Sequence, residues 1–201
     1  FSPRFFKITA LVLLLAFGLG IRLFDLTDPP LDFHSTRQML SLSKARGMYY
    51  KNLFSDPTEK RVFAVQQWEF AAEVEPEFFE RVVAYTYRFT GEQTWVARVY
   101  SSLFWVIAAL FLFLLARELT STNGALASTA LFLFLPYAVS ASRSFQPDPL
   151  MVALIVIFWW ALFHWAKEPT SYKWAVIAGA FGGFAIYIKL VAAFFVIAGG
   201  L

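Results

Sequence analysis

Long apolar runs, each closed by a short polar cluster, dominate the chain at 6–24, 95–116, 124–141, 150–166 and 174–188, with a further apolar stretch running from 190 to the end. Each of the first five approaches the roughly 20 residues that a helix needs to cross about 30 Å of hydrocarbon. The pattern predicts an all-α fold, a polytopic transmembrane helical bundle. The exception is the segment 25–94, which is too long for a simple connector and too apolar for disorder, because Met48, Tyr49, Tyr50, Val62, Phe63, Trp68, Phe78 and Phe79 recur through it. Within it, Pro76 can open a helix in which Phe78, Val82, Tyr85 and Phe89 share a face, and Gly91 would end that helix. A second helix is expected over 35–50. Both read as amphipathic interfacial helices, with Arg37, Lys44 and Arg46 available to the phosphates of membrane lipids; plain packing onto the membrane domain is the other reading.

Neither an internal repeat nor a Gly/Pro/Ser-rich linker divides the chain, so residues 1–201 are read as a single integral membrane domain with an extracytoplasmic loop at 25–94. Residues 1–20 have the charged start and apolar run of a secretory signal but no small-x-small cleavage site, which predicts a retained first helix. The chain starts at Phe1 and stops inside the apolar run Gly199-Gly200-Leu201, and the expectation is the N-terminal part of a longer protein.

Composition sharpens the choice of solvent. With 59% hydrophobic residues, 15% charged residues and a mean hydropathy of +0.58, the chain lies outside the range of soluble domains. If the spans alternate, Arg4, Lys7, Arg117, Lys167 and Lys173 fall on one side, which places the N-terminus in the cytoplasm of a plasma membrane, bacterial inner membrane included, and segment 25–94 outside. The net charge of +3 then reflects loop topology; with no basic stripe, nucleic acid is not an expected partner. Absence of cysteine excludes disulfides, thiolate nucleophiles and Cys-ligated zinc.

Candidate chemistry gathers on the outer side. Asp32, just beyond the first span, can act as a general base for a hydroxyl or amine acceptor, or it merely solvates a helix exit with Asp25 and Asp28. Asp148 lies between Pro147 and Pro149, which either presents the carboxylate in a fixed direction or simply starts a helix. Lys189 interrupts an apolar stretch where alternation predicts an outer turn, and either snorkels or meets a lipid phosphate; Arg143 stands at the same level. His34 could ligate a divalent metal ion or orient Asp32. His164, Trp159, Trp160 and Trp174 suit packing or an aromatic belt.

The early Asp32 in a long outer loop, the run Trp95-Val-Ala-Arg98-Val-Tyr-Ser-Ser, the hinge Ser142-Arg143 with Pro147-Asp148, and Ile188-Lys189 after Gly182-Gly183 together resemble the N-terminal half of polytopic C-type glycosyltransferases. The pattern is similar to the protein O-mannosyltransferases and to bacterial transferases that move aminoarabinose. The resemblance covers most of 6–201. It implies transfer of a sugar from a polyprenyl-phosphate donor to an extracytoplasmic protein, lipid or glycan acceptor, usually with inversion. By position it implies Asp32 as base, Asp148 as second acid, and Lys189, with Arg143, as binder of the donor phosphate; Arg37 in the outer loop is a further candidate for that phosphate. Relatives often carry paired acids in the first loop, whereas Phe33 and His34 follow Asp32 here. Two competing readings are a non-catalytic scaffold or lipid-binding subunit of a larger membrane complex, and a transporter using these charges for ion coupling.

Overall fold

The computed structural model describes residues 3–53 and 59–200, with the side chains of residues 3, 4, 199 and 200 outside that description. The expectations that involve Phe1, Leu201, the side chain of Arg4 and positions 54–58 of the outer loop lie outside the described residues. Those described form helices and connecting segments without strands, an all-α membrane bundle.

Helix α1 (Pro3–Leu23) is the first span. Three helices follow at one end of the bundle: α2 (Ser35–Lys51), α3 (Glu59–Glu69) and α4 (Phe78–Thr90). The chain then returns through α5 (Trp95–Leu119), bends through α6 (Thr122–Phe134) and α7 (Pro136–Ser142), runs back and forth in α8 (Asp148–Lys167) and α9 (Tyr172–Ile188), and turns into α10 (Ala192–Gly200). The stretches Phe5–Leu23, α5 and α8 are long and apolar enough to cross a membrane, and α6 with α7 makes a fourth span if the bent pair counts as one. The stretch 174–188, read from sequence as a fifth span, lies in α9, which at 17 residues is a shorter apolar helix outside those candidate spans.

The predicted third span differs from expectation, because it is broken by 62° at Pro136. Proline has no N–H to give to Phe132, and it drives Leu135 into extended backbone (ψ 130°). The carbonyls freed by the bend find other donors: Trp105 Nε1 reaches Phe132 O at 3.2 Å, and Arg22 Nη2 reaches Leu133 O at 2.9 Å. Arg22 is fully buried, and it also donates to Gly18 O (2.6 Å) and Ser142 Oγ (2.6 Å), so one guanidinium ties α1, α6 and α7 together. A cation at this depth persists because each of its three nitrogens has an acceptor.

The outer helices stack on the bundle rather than lie freely upon it. In α4 the buried face is Phe79, Glu80, Val83, Ala84 and Tyr87, packed with Ala45, Met48, Val96 and Phe145. The predicted apolar face turns the other way, with Tyr85 and Phe89 exposed. Gly91 ends α4 at φ 74°, as its position predicts. In α2 the expectation of cations free for lipid phosphates is corrected: Lys44 is buried 3.3 Å from Glu77, and Arg46 lies 3.1 Å from Glu92. The acids of α4 and its flanks are brought opposite α2 by packing, and buried cations persist only with such partners. Gly47 permits the α2–α3 approach, since a Cβ there would come within 2.3 Å of Trp68 Cβ.

Charges sort to the two ends of the bundle. One end carries Asp32, Arg98, Arg143, Asp148 and Lys189, and the other carries the pair Lys167–Glu118 at 2.7 Å beside Arg117. His164, expected at an interface, stacks on Trp174 (4.7 Å between centroids) with Trp160 edge-on.

Candidate active site

Two polar assemblies, which meet at Phe33 of the first loop, occupy the charged end. The first is built on Asp32. The loop that leads to it begins and ends with left-handed backbone, at Asp25 (φ 47°) and at His34 (φ 47°), a conformation that Asp and His tolerate better than most side chains. Between them the chain is clamped by Arg98 from the first turn of α5, whose side chain is almost fully buried. Its Nη1 donates to Asp25 O (3.1 Å), and its Nη2 to Pro29 O (3.2 Å) and Asp32 Oδ1 (3.2 Å). Gln38, wholly buried in α2, donates through Nε2 to Asp32 Oδ1 (3.2 Å) and Phe33 O (2.7 Å) and accepts from Phe145 N (3.0 Å). The Phe33 amide adds a third donor to Oδ1 at 3.2 Å. Among the described residues the ion-pair partner of Asp32 Oδ2 is Arg143 Nε at 3.9 Å, and the side chain is 41% exposed. Oδ1 thus accepts three hydrogen bonds, while Oδ2 has only this distant cation.

The second assembly lines a cavity of about 560 Å³. Its polar wall holds Asp148, Lys189, Arg37 and Glu75, and its apolar wall includes Phe33, Trp105, Tyr137 and Val152. Asp148 opens α8 behind Pro147, so the helix start directs it, and Lys189 closes α9; Nζ lies 2.9 and 3.0 Å from the two oxygens of Asp148. Glu75 reaches Lys189 Nζ at 3.6 Å and accepts from Arg37 Nη2 at 2.7 Å. Two cations and two carboxylates thus alternate around one mouth. This is a polar rim on an apolar slot, the shape that suits a lipid-linked anion.

Of the residues predicted from sequence, Asp148, Lys189, Arg37 and His34 line this cavity together, while Asp32 and Arg143 stand just beside it. Arg143 Nη2 caps the exit of α1, donating to Phe24 O (2.6 Å) and Asp25 O (3.1 Å). His34 meets Phe33 edge-on at 4.5 Å. Among the described residues no group of three or more His, Cys, Asp or Glu side chains could hold a metal ion. Of the acids lining the same cavity, Asp148 is paired with Lys189, and Glu75 with Arg37 and Lys189. Sequence reasoning missed Gln38, Glu75 and Arg98 as site residues. Arg98 could have been found as a cation at the head of an apolar run, whereas Gln38 and Glu75 carry no local signal.

The family model for dolichyl-phosphate-mannose-protein mannosyltransferase matches residues 75–201. The chain belongs to this mannosyltransferase family. It is an integral membrane protein of the glycosyltransferase class, and the family's donor is a sugar carried on a polyprenyl phosphate. The match takes in Glu75, Arg98, Arg143, Asp148 and Lys189 and begins after Asp32, His34 and Arg37. No curated protein matches the chain, and no solved structure does.

Proposed function

We propose that this mannosyltransferase-family chain moves a glycosyl group from a polyprenyl-phosphate donor to a hydroxyl or amine acceptor at the extracytoplasmic membrane surface. The observation that carries the reading is the cavity in which Lys189 and Arg37, from distant parts of the chain, face one opening beside an apolar wall. The phosphate sits between those cations, and the prenyl chain follows Trp105, Tyr137 and Val152 toward the bilayer. Basic residues at the opposite end, Arg117, Lys167 and Lys173, support the orientation.

In this reading the acceptor oxygen or nitrogen attacks the anomeric carbon as the bond to the phosphate oxygen breaks. The electron pair leaves with the polyprenyl phosphate, inversion follows, and the acceptor proton passes to Asp32 Oδ2. A phosphate leaving group needs no general acid where cations hold its developing charge. Arg98, Gln38 and the Phe33 amide fix Oδ1 and so aim the free oxygen, which is the positioning such a base requires. Asp148 holds Lys189 in place.

The test is transfer by membranes carrying the protein, supplied with polyprenyl-phosphate-linked sugars and a panel of acceptors. Asp32→Asn should abolish transfer while leaving donor binding and thermal stability near wild type. Unchanged transfer in that variant would sink the assignment of Asp32. Absence of transfer by the wild type with every donor would leave a lipid-binding scaffold as the better account.

A further inference from the structure

Among the described residues, Glu75 is the one acid at the mouth of the cavity that touches both Arg37 and Lys189. Its carboxylate spans Arg37 (2.7 Å) and Lys189 (3.6 Å), which belong to α2 and to the end of α9. Two oxygens with one negative charge between two cations describe equally well one face of a phosphodiester. The donor, a sugar joined through phosphate to a polyprenol, is such a monoanion.

The segment that carries Glu75 is built for exchange. Residues 72–76 make no backbone–backbone hydrogen bond among the described residues, and they lie between the last turn of α3 and the first of α4. Their firm anchor is the next residue, Glu77, which is held by Lys44 at 3.3 Å and by Trp68 Nε1 at 3.2 Å. A second cavity of about 480 Å³ also borders the segment, lined by Glu73, Glu75, Glu77, Arg81 and Tyr187 among others. Glu75 lines both cavities, and the second also holds Arg81, 67% exposed and only loosely paired with Glu77 at 3.7 Å.

We propose that Glu75 is an internal competitor for the donor phosphate: it occupies the seat between Arg37 and Lys189 and is displaced toward Arg81 when the lipid phosphate enters. Resting on the donor-site reading above, this adds a control to it. The exchange is charge-neutral on entry of the diester. After transfer the product is a monoester with about −1.5 to −2 charge at neutral pH, which the two cations hold more tightly, and the returning carboxylate competes it off. Glu75 therefore keeps the seat from retaining product, at the expense of donor affinity.

The experiment measures binding of unglycosylated polyprenyl phosphate to the full chain in nanodiscs, together with the kcat and KM of transfer for the lipid-linked sugar. Glu75→Gln should tighten binding on the order of tenfold and lower KM and kcat together, because product leaves slowly. Glu75→Asp, which keeps the charge but shortens the reach to Lys189, should give a smaller shift in the same direction, and it stands in if the glutamine variant melts early. Arg37→Gln and Lys189→Gln should each weaken binding. If they do so while Glu75→Gln binds like wild type or more weakly, Glu75 merely supports the cations, and the competitor role is overturned with the donor site intact. Should Arg37→Gln and Lys189→Gln bind like wild type, the phosphate seat itself is wrong and both readings fall.

Discussion

Lys189 Nζ stands 2.9 and 3.0 Å from the carboxylate oxygens of Asp148, joining the end of α9 to the start of α8 across 41 positions of sequence. The pair closes the helical hairpin at the end where the cavity opens. Each charge also answers the terminus of its own helix, Asp148 lying in the first turn of α8, where a negative group is favoured, and Lys189 at the C-cap of α9, where a positive one is.

Lys189→Met removes a charged donor from the phosphate seat and leaves Asp148 without its cation. Hydrogen bonds to charged groups contribute about 1.5–3 kcal/mol, so donor binding should fall roughly 10- to 150-fold. The double variant Asp148→Asn with Lys189→Met should recover thermal stability but not donor binding. Titration with the lipid phosphate alongside melting curves checks both halves, and recovery of binding in the double variant would count against a role for Lys189 at the phosphate.

Arg22→Lys keeps the charge and loses the fork. A single ammonium cannot reproduce the planar arrangement by which the guanidinium serves Gly18 O, Leu133 O and Ser142 Oγ. Leaving one buried acceptor without a donor costs about 1–3 kcal/mol, which for a chain of this size lowers Tm by roughly 2–12 °C. Thermal melts in detergent measure it. A spin-label distance between the end of α1 and α7 should broaden in the same variant.

Gly47→Ala should destabilise the outer layer. The added methyl would meet Trp68 Cβ at 2.3 Å and the Ala64 carbonyl at 2.8 Å, and the second of these is backbone, which cannot rotate away. Overpacking of this kind typically costs about 1–3 kcal/mol. Limited proteolysis between α2 and α4 should accelerate, while Gly183→Ala, whose Cβ meets nothing within 4 Å, should leave the digestion pattern unchanged.

Glu80 supplies a pH dependence. Burial between α2 and α4 pushes its carboxyl above the ordinary value of 4.5, and this outweighs the hydrogen bond from Ser41 and the nearby Lys44, while Glu77 pushes in the same direction. The folded state therefore holds this proton at pH values where the unfolded chain has released it. The resulting stability is present below 4.5 and is lost as pH rises through the raised value. Glu80→Gln, permanently neutral, should melt at a temperature that varies less across that window than wild type does, and equal slopes would refute the assignment to Glu80.

Much of the bundle was readable from one dimension. Apolar runs marked every membrane helix, and Pro147-Asp148 and Ile188-Lys189 marked the turns that face the same end, because hydropathy and helix-boundary chemistry are properties of neighbouring residues. The break at Pro136 was also legible in principle, since proline acts on the four residues before it. Pairing was not legible in the same way. That Gln38 would bridge Asp32 to Phe145, and that Lys44 would turn inward to Glu77, depends on how α2 rotates against α4 and the α7–α8 hinge.

Sequence alone determined that this chain is a membrane bundle with its candidate acids and cations sorted toward one end, since transfer into a bilayer is decided run by run. Which cation answers which acid was left to tertiary structure. Arg98 took Asp32, Lys189 took Asp148, and Glu75 came between Arg37 and Lys189 through contacts spanning 38 to 114 positions. Charge recognition acts through space at a few ångströms, and only the packed helices bring such distant residues within that reach.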